Sequence, residues 1–314
     1  MDVITIGETM VLFTPESTMR YSTQFNKKIG GAESNVAIGL ARLGHQAGWI
    51  SRLGDDEFGK AILSFVRGEG VDVSQVKMDD SAQTAIYFKE LRRSNDIRVQ
   101  YYRKNSAASR MSANDLDPAY ISKAKYLHLT GITPALSDSC HEMILRAIAI
   151  AKKHGIKIVF DPNLRRKLWS EERARKVLLD IAIQSDIFLP GVSEGEFLTG
   201  EKDPKKIGEF FLKQGVPTVV IKVGAQGAYY ATNEEYKHVA GFHVNQVVDP
   251  VGAGDGFSAG LISGLLDQLS LHKAVERGNA VGALVTMING DVEGLPTREE
   301  IEAFVLNQNE EIYR

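Results

Sequence analysis

The stretch Asp249-Pro250-Val251-Gly252-Ala253-Gly254-Asp255-Gly256 follows Gln246-Val247-Val248 and runs into Phe257, Leu261, Leu265 and Leu266. The apolar residues beyond it recur at helical spacing, so the pattern predicts a strand, a glycine turn and a helix start. N–H groups at a helix N-terminus lack internal partners and attract anions. Small residues at Gly252, Ala253 and Gly254 let a phosphate approach the backbone closely. Asp255 has two readings. It can cap the helix, where Asp is favoured. It can instead take the proton of a hydroxyl that attacks a phosphate, the task that would justify a carboxylate beside an anion site. The glycines lack the G-x-G-x-x-G spacing and lie far from the first strand, which argues against a dinucleotide fingerprint. A second stretch, Gly54-Asp55-Asp56-Glu57-Phe58-Gly59-Lys60-Ala61, imitates a P-loop. Ala61 stands where a Ser or Thr would hold magnesium, and the three carboxylates would repel phosphate. It reads as a turn opening a helix that includes Phe58, Ile62 and Phe65.

Outward from the turn, short apolar runs recur at 3–7, 48–53, 126–129, 156–160, 187–189 and 218–223. Helical patterns lie at 32–43, 142–154 and 171–184, and two long helices span 253–289. Strands alternating with helices predict an α/β fold with a mostly parallel central sheet flanked by helices on both faces. Two segments break this rhythm. Residues 84–91 and 97–103 are strand-like around the polar turn Arg92-Arg93-Ser94-Asn95-Asp96, and 9–29 is strand-like without a helix. We expect one domain over 1–314, with a small β lid contributed by about 9–30 and 82–104; edge strands of the main sheet are the alternative.

Composition bounds the function. The 314 residues suffice for one large α/β domain, and 43% hydrophobic with 25% charged residues is an ordinary globular profile. A formal net charge of -3 provides no basic field for nucleic acid. The single cysteine, Cys140, rules out an intrachain disulfide and fits a reducing compartment. Met1-Asp2-Val3-Ile4 enters a strand without a basic leader, and no apolar run is long enough to span a bilayer, so a cytoplasmic protein without membrane partners is expected. The seven histidines show no metal-ligand spacing, and His128 reads as a strand residue near the core. No G-x-S-x-G elbow is present.

Gly30-Gly31-Ala32-Glu33-Ser34-Asn35, then Ala41-Arg42-Leu43-Gly44, the 54–59 turn and the 249–257 turn occur in the order and spacing of the ribokinase, or PfkB, family of sugar kinases. The chain resembles that family nearly end to end. The resemblance implies a ribokinase-like fold with a β lid over the sugar, ATP and Mg²⁺ as cofactors, an anion hole at Gly252, Ala253 and Gly254, and Asp255 as general base. Lys222-Val223-Gly224-Ala225-Gln226-Gly227 resembles the family's loop beside the ATP ribose and phosphates. By the same likeness Asn163, Ser193, Lys222, Gly224 and Gly227 would bind ATP with the 252–254 turn, and Asn279 would meet adenine. One motif departs: the family's Asn-x-x-Glu reads Gly191-Val192-Ser193-Glu194. Glu194 would then act on Mg²⁺ through water, which that ion usually retains.

Three further segments resemble the branch of the family that phosphorylates 2-keto-3-deoxygluconate at its C6 hydroxyl. They are Tyr101-Tyr102-Arg103 followed by Ser106-Ala107-Ala108-Ser109, then Asp161-Pro162-Asn163-Leu164-Arg165, and Asn289-Gly290-Asp291. The likeness implies sugar contacts from Gly31, Tyr87, Tyr101, Arg103, Arg165, Asp255 and Asp291. A sugar acid needs fixed cations, and the Arg fork matches a carboxylate. Tyr101 and Arg103 are two apart in a strand and face the same way, while Arg165 is expected to end a strand at the ligand face of the sheet. The competing readings are a solvated Arg103, a plain basic turn at Arg165-Arg166-Lys167, and Tyr and Val residues that bury a homo-oligomer contact through the lid. Fructokinases share much of this pattern and are the alternative enzyme; a nucleotide or sugar-acid sensor on the same fold is the non-enzymatic one.

Overall fold

A computed structural model describes residues 1–93 and 96–312. Among these, the strands in chain order are β1 (Val3–Ile6), β2 (Met10–Pro15), β3 (Phe25–Gly30), β4 (Ala47–Gly54), β5 (Val76–Asp79), β6 (Ile86–Arg93), β7 (Asp96–Tyr102), β8 (Tyr126–Thr130), β9 (Lys157–Asp161), β10 (Ile187–Phe188), β11 (Thr218–Lys222), β12 (Gly227–Ala231) and β13 (Tyr236–Ala240). Nine of them form the main sheet in the order β13-β12-β11-β10-β9-β8-β1-β4-β5. The pairs from β11 to β5 are parallel, and β12 and β13 add an antiparallel edge. Parallel strands need helical crossovers, which cover both faces and bury both sides of each strand. The strand β1 is accordingly apolar on each side. Ile4 and Ile6 pack with Leu127, Ile158 and Phe160 in one layer, and Val3 packs with Trp49, Val159 and Val220 in the other.

The second layer includes the helices Ala32–Arg42 and Ala253–Leu266. They approach closely at Gly39, where an added Cβ would lie 2.8 Å from the Cβ of Ala259. Chain order reverses around β1, which sits between β4 and β8. Ligands of open α/β sheets bind at such a switch, outside the carboxyl ends of the strands. Glu8, Ile132, Asp161 and Lys222 lie at or just beyond those ends in β1, β8, β9 and β11, and all four line one cavity.

The remaining strands make a separate four-stranded sheet, β3-β2-β6-β7, rather than edges of the main one. The β2–β3 and β6–β7 pairs are antiparallel, and β2–β6 is parallel. Ser94 and Asn95 of the expected polar turn lie outside the described residues. One face of this sheet packs Met10, Leu12, Ala85 and Tyr87 against Val99 and Tyr101. Side chains alternate across a strand, and the opposite face carries the ring contacts of Phe13, Phe25 and Tyr102 with Phe88.

Two local expectations meet the structure differently. The 54–59 turn opens the helix Glu57–Gly68, with Asp56 as N-cap accepting the Gly59 N–H at 2.8 Å. The strand expected before the 249–256 turn does not form: 246–248 is irregular. Val247 and Val248 are 56% and 41% exposed, so this pair marks surface rather than a buried strand.

Candidate active site

Gly252 takes φ +84° at the N-cap of the helix Ala253–Leu266, a backbone conformation that favours glycine. A Cβ there would also lie 2.8 Å from the Asp291 carbonyl oxygen. The first full helical bond runs from Gly256 N to Gly252 O at 2.8 Å, and the Ala253 N–H reaches Pro250 O only at 3.5 Å. The amides of the first turn are therefore available to an anion. Asp255 is the third helical residue, and no side chain caps this terminus. That decides against the capping reading of Asp255.

The Asp255 carboxylate instead meets two side-chain amides. Asn35 Nδ2 donates to Oδ2 at 2.8 Å, and Asn163 Nδ2 donates to Oδ1 at 3.5 Å. Asn35 lies on the Ala32–Arg42 helix, so the two packed helices meet at this carboxylate. Withdrawal from bulk water pushes the Asp255 carboxyl up to about 7. The Asn35 hydrogen bond and the Arg165 charge act in the opposite direction, while Asp161 and Asp291 add to the rise.

Asp255 borders a cavity of about 370 Å³ that also touches Gly31, Tyr87, Tyr101, Arg103, Arg165 and Asp291. On the small-sheet side, the rings of Tyr87 and Tyr101 stack at 5.6 Å and 23°. The Tyr87 hydroxyl donates to Asp291 Oδ2 at 3.0 Å. Arg103 lies one residue past the end of β7 yet keeps to the cavity, with its guanidinium 5.3 Å from the Tyr101 ring centroid. It is buried and ion-paired with Glu8, so it is not a solvated charge. Glu8 Oε1 also accepts the Ser106 hydroxyl at 2.8 Å. Arg165 is exposed, in the loop beyond β9 rather than at the strand end.

The opposite wall carries Asn163, Glu194, Lys222, Gly252 and Gly254. Lys222 Nζ lies 2.5 Å from Asp161 Oδ2 and 3.8 Å from where a Cβ on Gly254 would stand. Glu194 accepts the Gly191 N–H and the Leu164 N–H, both at 2.8 Å. Burial, with Asp161 nearby, raises the Glu194 carboxyl above its ordinary range. Ala253, Ser193, Gly224, Gly227 and Asn279 do not line this cavity. Gly224 and Gly227 turn the chain between β11 and β12 with φ of +64° and +99°. The buried Asn279 amide donates to Val239 O at 3.1 Å and Ala240 O at 3.0 Å.

Four polar or charged residues lining the cavity went unassigned in the sequence: Glu8, Asn35, Lys89 and Asp161. Asn35 and Asp161 belong to quoted motifs, and Lys89 follows Tyr87 by two residues, the period that places it on the same strand face. Among the described residues no group of three or more His, Cys, Asp or Glu is arranged to hold a metal. His128 is buried, which pushes its imidazole down to about 4, and the buried Cys140 thiol is pushed up to about 11.

The model of the pfkB family carbohydrate kinases matches residues 1–298. The chain is 44% identical to the 2-dehydro-3-deoxygluconokinase of Bacillus subtilis (strain 168), over 98% of this chain and 96% of that protein. It is 35% identical to Fructokinase-1 of Zea mays, over 95% and 96%. Its fold is similar to that of an E. coli protein named for ribokinase II and solved in complex with ATP and Mg²⁺, with TM-score 0.91, 29% identity, and 98% and 99% of the two chains covered.

Proposed function

The chain belongs to the pfkB family of carbohydrate kinases, and we propose that it transfers the γ-phosphoryl group of ATP to the C6 hydroxyl of 2-keto-3-deoxygluconate, giving 2-keto-3-deoxy-6-phosphogluconate. The observation that carries this reading is the Asp255 carboxylate, which stands between the open amides of its own helix and a cavity that holds arginine side chains. The 44% identity to a 2-dehydro-3-deoxygluconokinase, against 35% to a fructokinase, favours the sugar acid over fructose.

Asp255 accepts the proton of the attacking hydroxyl. A carboxyl lifted to about 7 is suited to that task, because a base works best when its affinity for protons lies near the operating pH. Asn35 and Asn163 hold the carboxylate by its two oxygens. The amides of Gly252, Ala253 and Gly254 stabilise charge on the transferring group. Gly31, Tyr87, Tyr101, Arg103, Arg165 and Asp291 contact the sugar. Arg103 is already neutralised by Glu8, which leaves Arg165 as the stronger partner for the acid group. ATP lies along Asn163, Ser193, Lys222, Gly224 and Gly227, with Asn279 toward adenine.

The residues present fit a Mg²⁺ ion held mainly by phosphates and water. Glu194 spends one contact of each oxygen on a backbone N–H, and Asp161 is paired with Lys222, so neither belongs to a closed protein cage. Glu194 would hold the ion through water. When bound, Mg²⁺ neutralises charge on the phosphates. The small sheet acts as the lid that excludes water from the sugar. Its outer aromatic face, where Tyr102 is 58% exposed, suits a homo-oligomer contact. No helix among the described residues is long and apolar enough to cross a membrane.

The test is a coupled ADP-release assay of the purified chain with 2-keto-3-deoxygluconate, its galactose epimer, fructose and ribose. The proposal expects the highest kcat/KM for 2-keto-3-deoxygluconate. A higher value for fructose would assign the fructokinase alternative, and sugar binding without ADP release would assign a sensor.

A further inference from the structure

Lys89, on β6 two residues from Tyr87, is 7% exposed, and its ammonium belongs to the body of the protein as much as to the small sheet. Its Nζ lies 2.6 Å from Asp249 Oδ2 and 3.5 Å from Asp291 Oδ1. Asp249 opens the phosphate turn, and its second oxygen, Oδ1, accepts the Val251 N–H at 3.2 Å. Asp291 takes the Tyr87 hydroxyl on Oδ2, and its carbonyl oxygen backs directly onto Gly252. The Val248 and Asp249 N–H groups both donate to Thr286 O, at 2.8 and 3.2 Å. Segments 249–252 and 289–292 therefore lie side by side, each contributing one buried carboxylate to the same lysine.

Two buried carboxylates repel each other and resist ionisation unless a cation satisfies both. Removing the lysine would leave two buried like charges to move apart, and that shifts the backbone that carries the 252–254 amides. A second ammonium from the same sheet, Lys28 on β3, reaches Asn289 O at 2.6 Å and Glu293 at 3.4 Å. That contact is more exposed, with Glu293 at 42%, and is screened accordingly. The buried link at Lys89 is the one able to fix geometry.

We infer that Lys89 is a positioning residue for phosphoryl transfer: held between Asp249 and Asp291, it sets the amide turn in register with the sheet that carries Tyr87 and Tyr101. The inference rests on the sugar-kinase reading above. Misplacement of reacting groups by about 1 Å costs on the order of 100-fold in rate, so the loss falls chiefly on kcat, with sugar binding disturbed only through Asp291.

The experiment uses full-length protein, ATP and 2-keto-3-deoxygluconate, with fructose as the second acceptor. Lys89→Met is expected to lower kcat by about 30-fold or more while changing the sugar KM by less than about threefold, and Lys89→Arg is expected to recover most of kcat. Because Lys89→Met leaves two unpaired buried carboxylates and could prevent folding, Asp249→Asn and the double variant Lys89→Met/Asp249→Asn are measured as well. If Lys89 and Asp249 act through their contact, the double variant loses less kcat than the product of the two single losses, the remainder being the Asp291 contact; fully multiplying losses would overturn the link. A kcat for Lys89→Met within about twofold of wild type also overturns it. A wild-type chain that phosphorylates neither acceptor defeats the kinase reading and this inference with it, whereas an active wild type beside an unaffected Lys89→Met defeats the inference alone.

Discussion

The packed helices Ala32–Arg42 and Ala253–Leu266 each start at a glycine N-cap without a side-chain cap, and each carries a carboxyl in its first turn. Burial raises both carboxyls above the ordinary range. Their surroundings differ. Glu33 is 0% exposed, and Oε1 accepts the hydroxyls of Thr130 at 2.6 Å and Thr133 at 2.8 Å. Gly7 seals it, since a Cβ there would lie 2.0 Å from the Glu33 carboxyl carbon. Asp255 stands at the wall of the cavity, with amide donors on its oxygens and the open turn beside it. A shifted carboxyl alone is thus no mark of a base: what separates the two is that Asp255 borders the cavity beside free backbone amides and Glu33 does not.

The same isosteric change at both positions tests this contrast. Asp255→Asn is expected to reduce kcat by about 1,000-fold, the scale of a lost general base, with the circular dichroism spectrum unchanged. The change also has a sign in stability. A carboxyl raised to about 7 in the folded chain holds its proton longer than when unfolded, so its neutral form favours folding at low pH and that contribution is lost as pH rises toward 7. Calorimetry should therefore find a larger gain in Tm for Asp255→Asn at pH 8 than at pH 4.5; an equal gain at both would remove the raised carboxyl from the account.

A smaller effect separates the two arginines. Arg165→Ala is expected to raise the KM for the sugar acid about tenfold and to leave that for fructose within about twofold, as for a lost charge-assisted contact. Arg103→Ala additionally strands Glu8 in the interior, so its Tm should fall well below that of Arg165→Ala. Equal KM shifts for both acceptors would argue against carboxylate recognition at Arg165. The smallest effect belongs to Glu33→Gln, where kcat should stay within about twofold and stability within about 1 kcal/mol, because a neutral isostere replaces a carboxyl that is already disposed to be neutral. A large loss of kcat there would break the contrast.

The parts of this molecule that could be read from sequence are those where local chemistry restricts the choice of residue. Apolar runs buried on both faces announced the parallel strands, and small residues from Gly252 to Gly254 announced a turn open to an anion. The β6–β7 pair of the separate sheet was legible at 84–91 and 97–103 as two strand-like runs around a polar turn. Long-range pairing was not. Nothing near Arg103 in the chain predicts that Glu8 neutralises it, and nothing near Lys89 predicts Asp249 and Asp291. Val247-Val248 misled because two adjacent valines look alike in a strand and on a surface.

The most direct measurement is kcat/KM for 2-keto-3-deoxygluconate from pH 5 to 9, in wild type and in Asp255→Asn. The wild-type value should climb about tenfold per pH unit below a midpoint near 7 and level off above it, as for a base that must be deprotonated. The variant should lie about 1,000-fold lower and lack that limb. A variant within about tenfold of wild type that keeps the same limb would contradict Asp255 as the base.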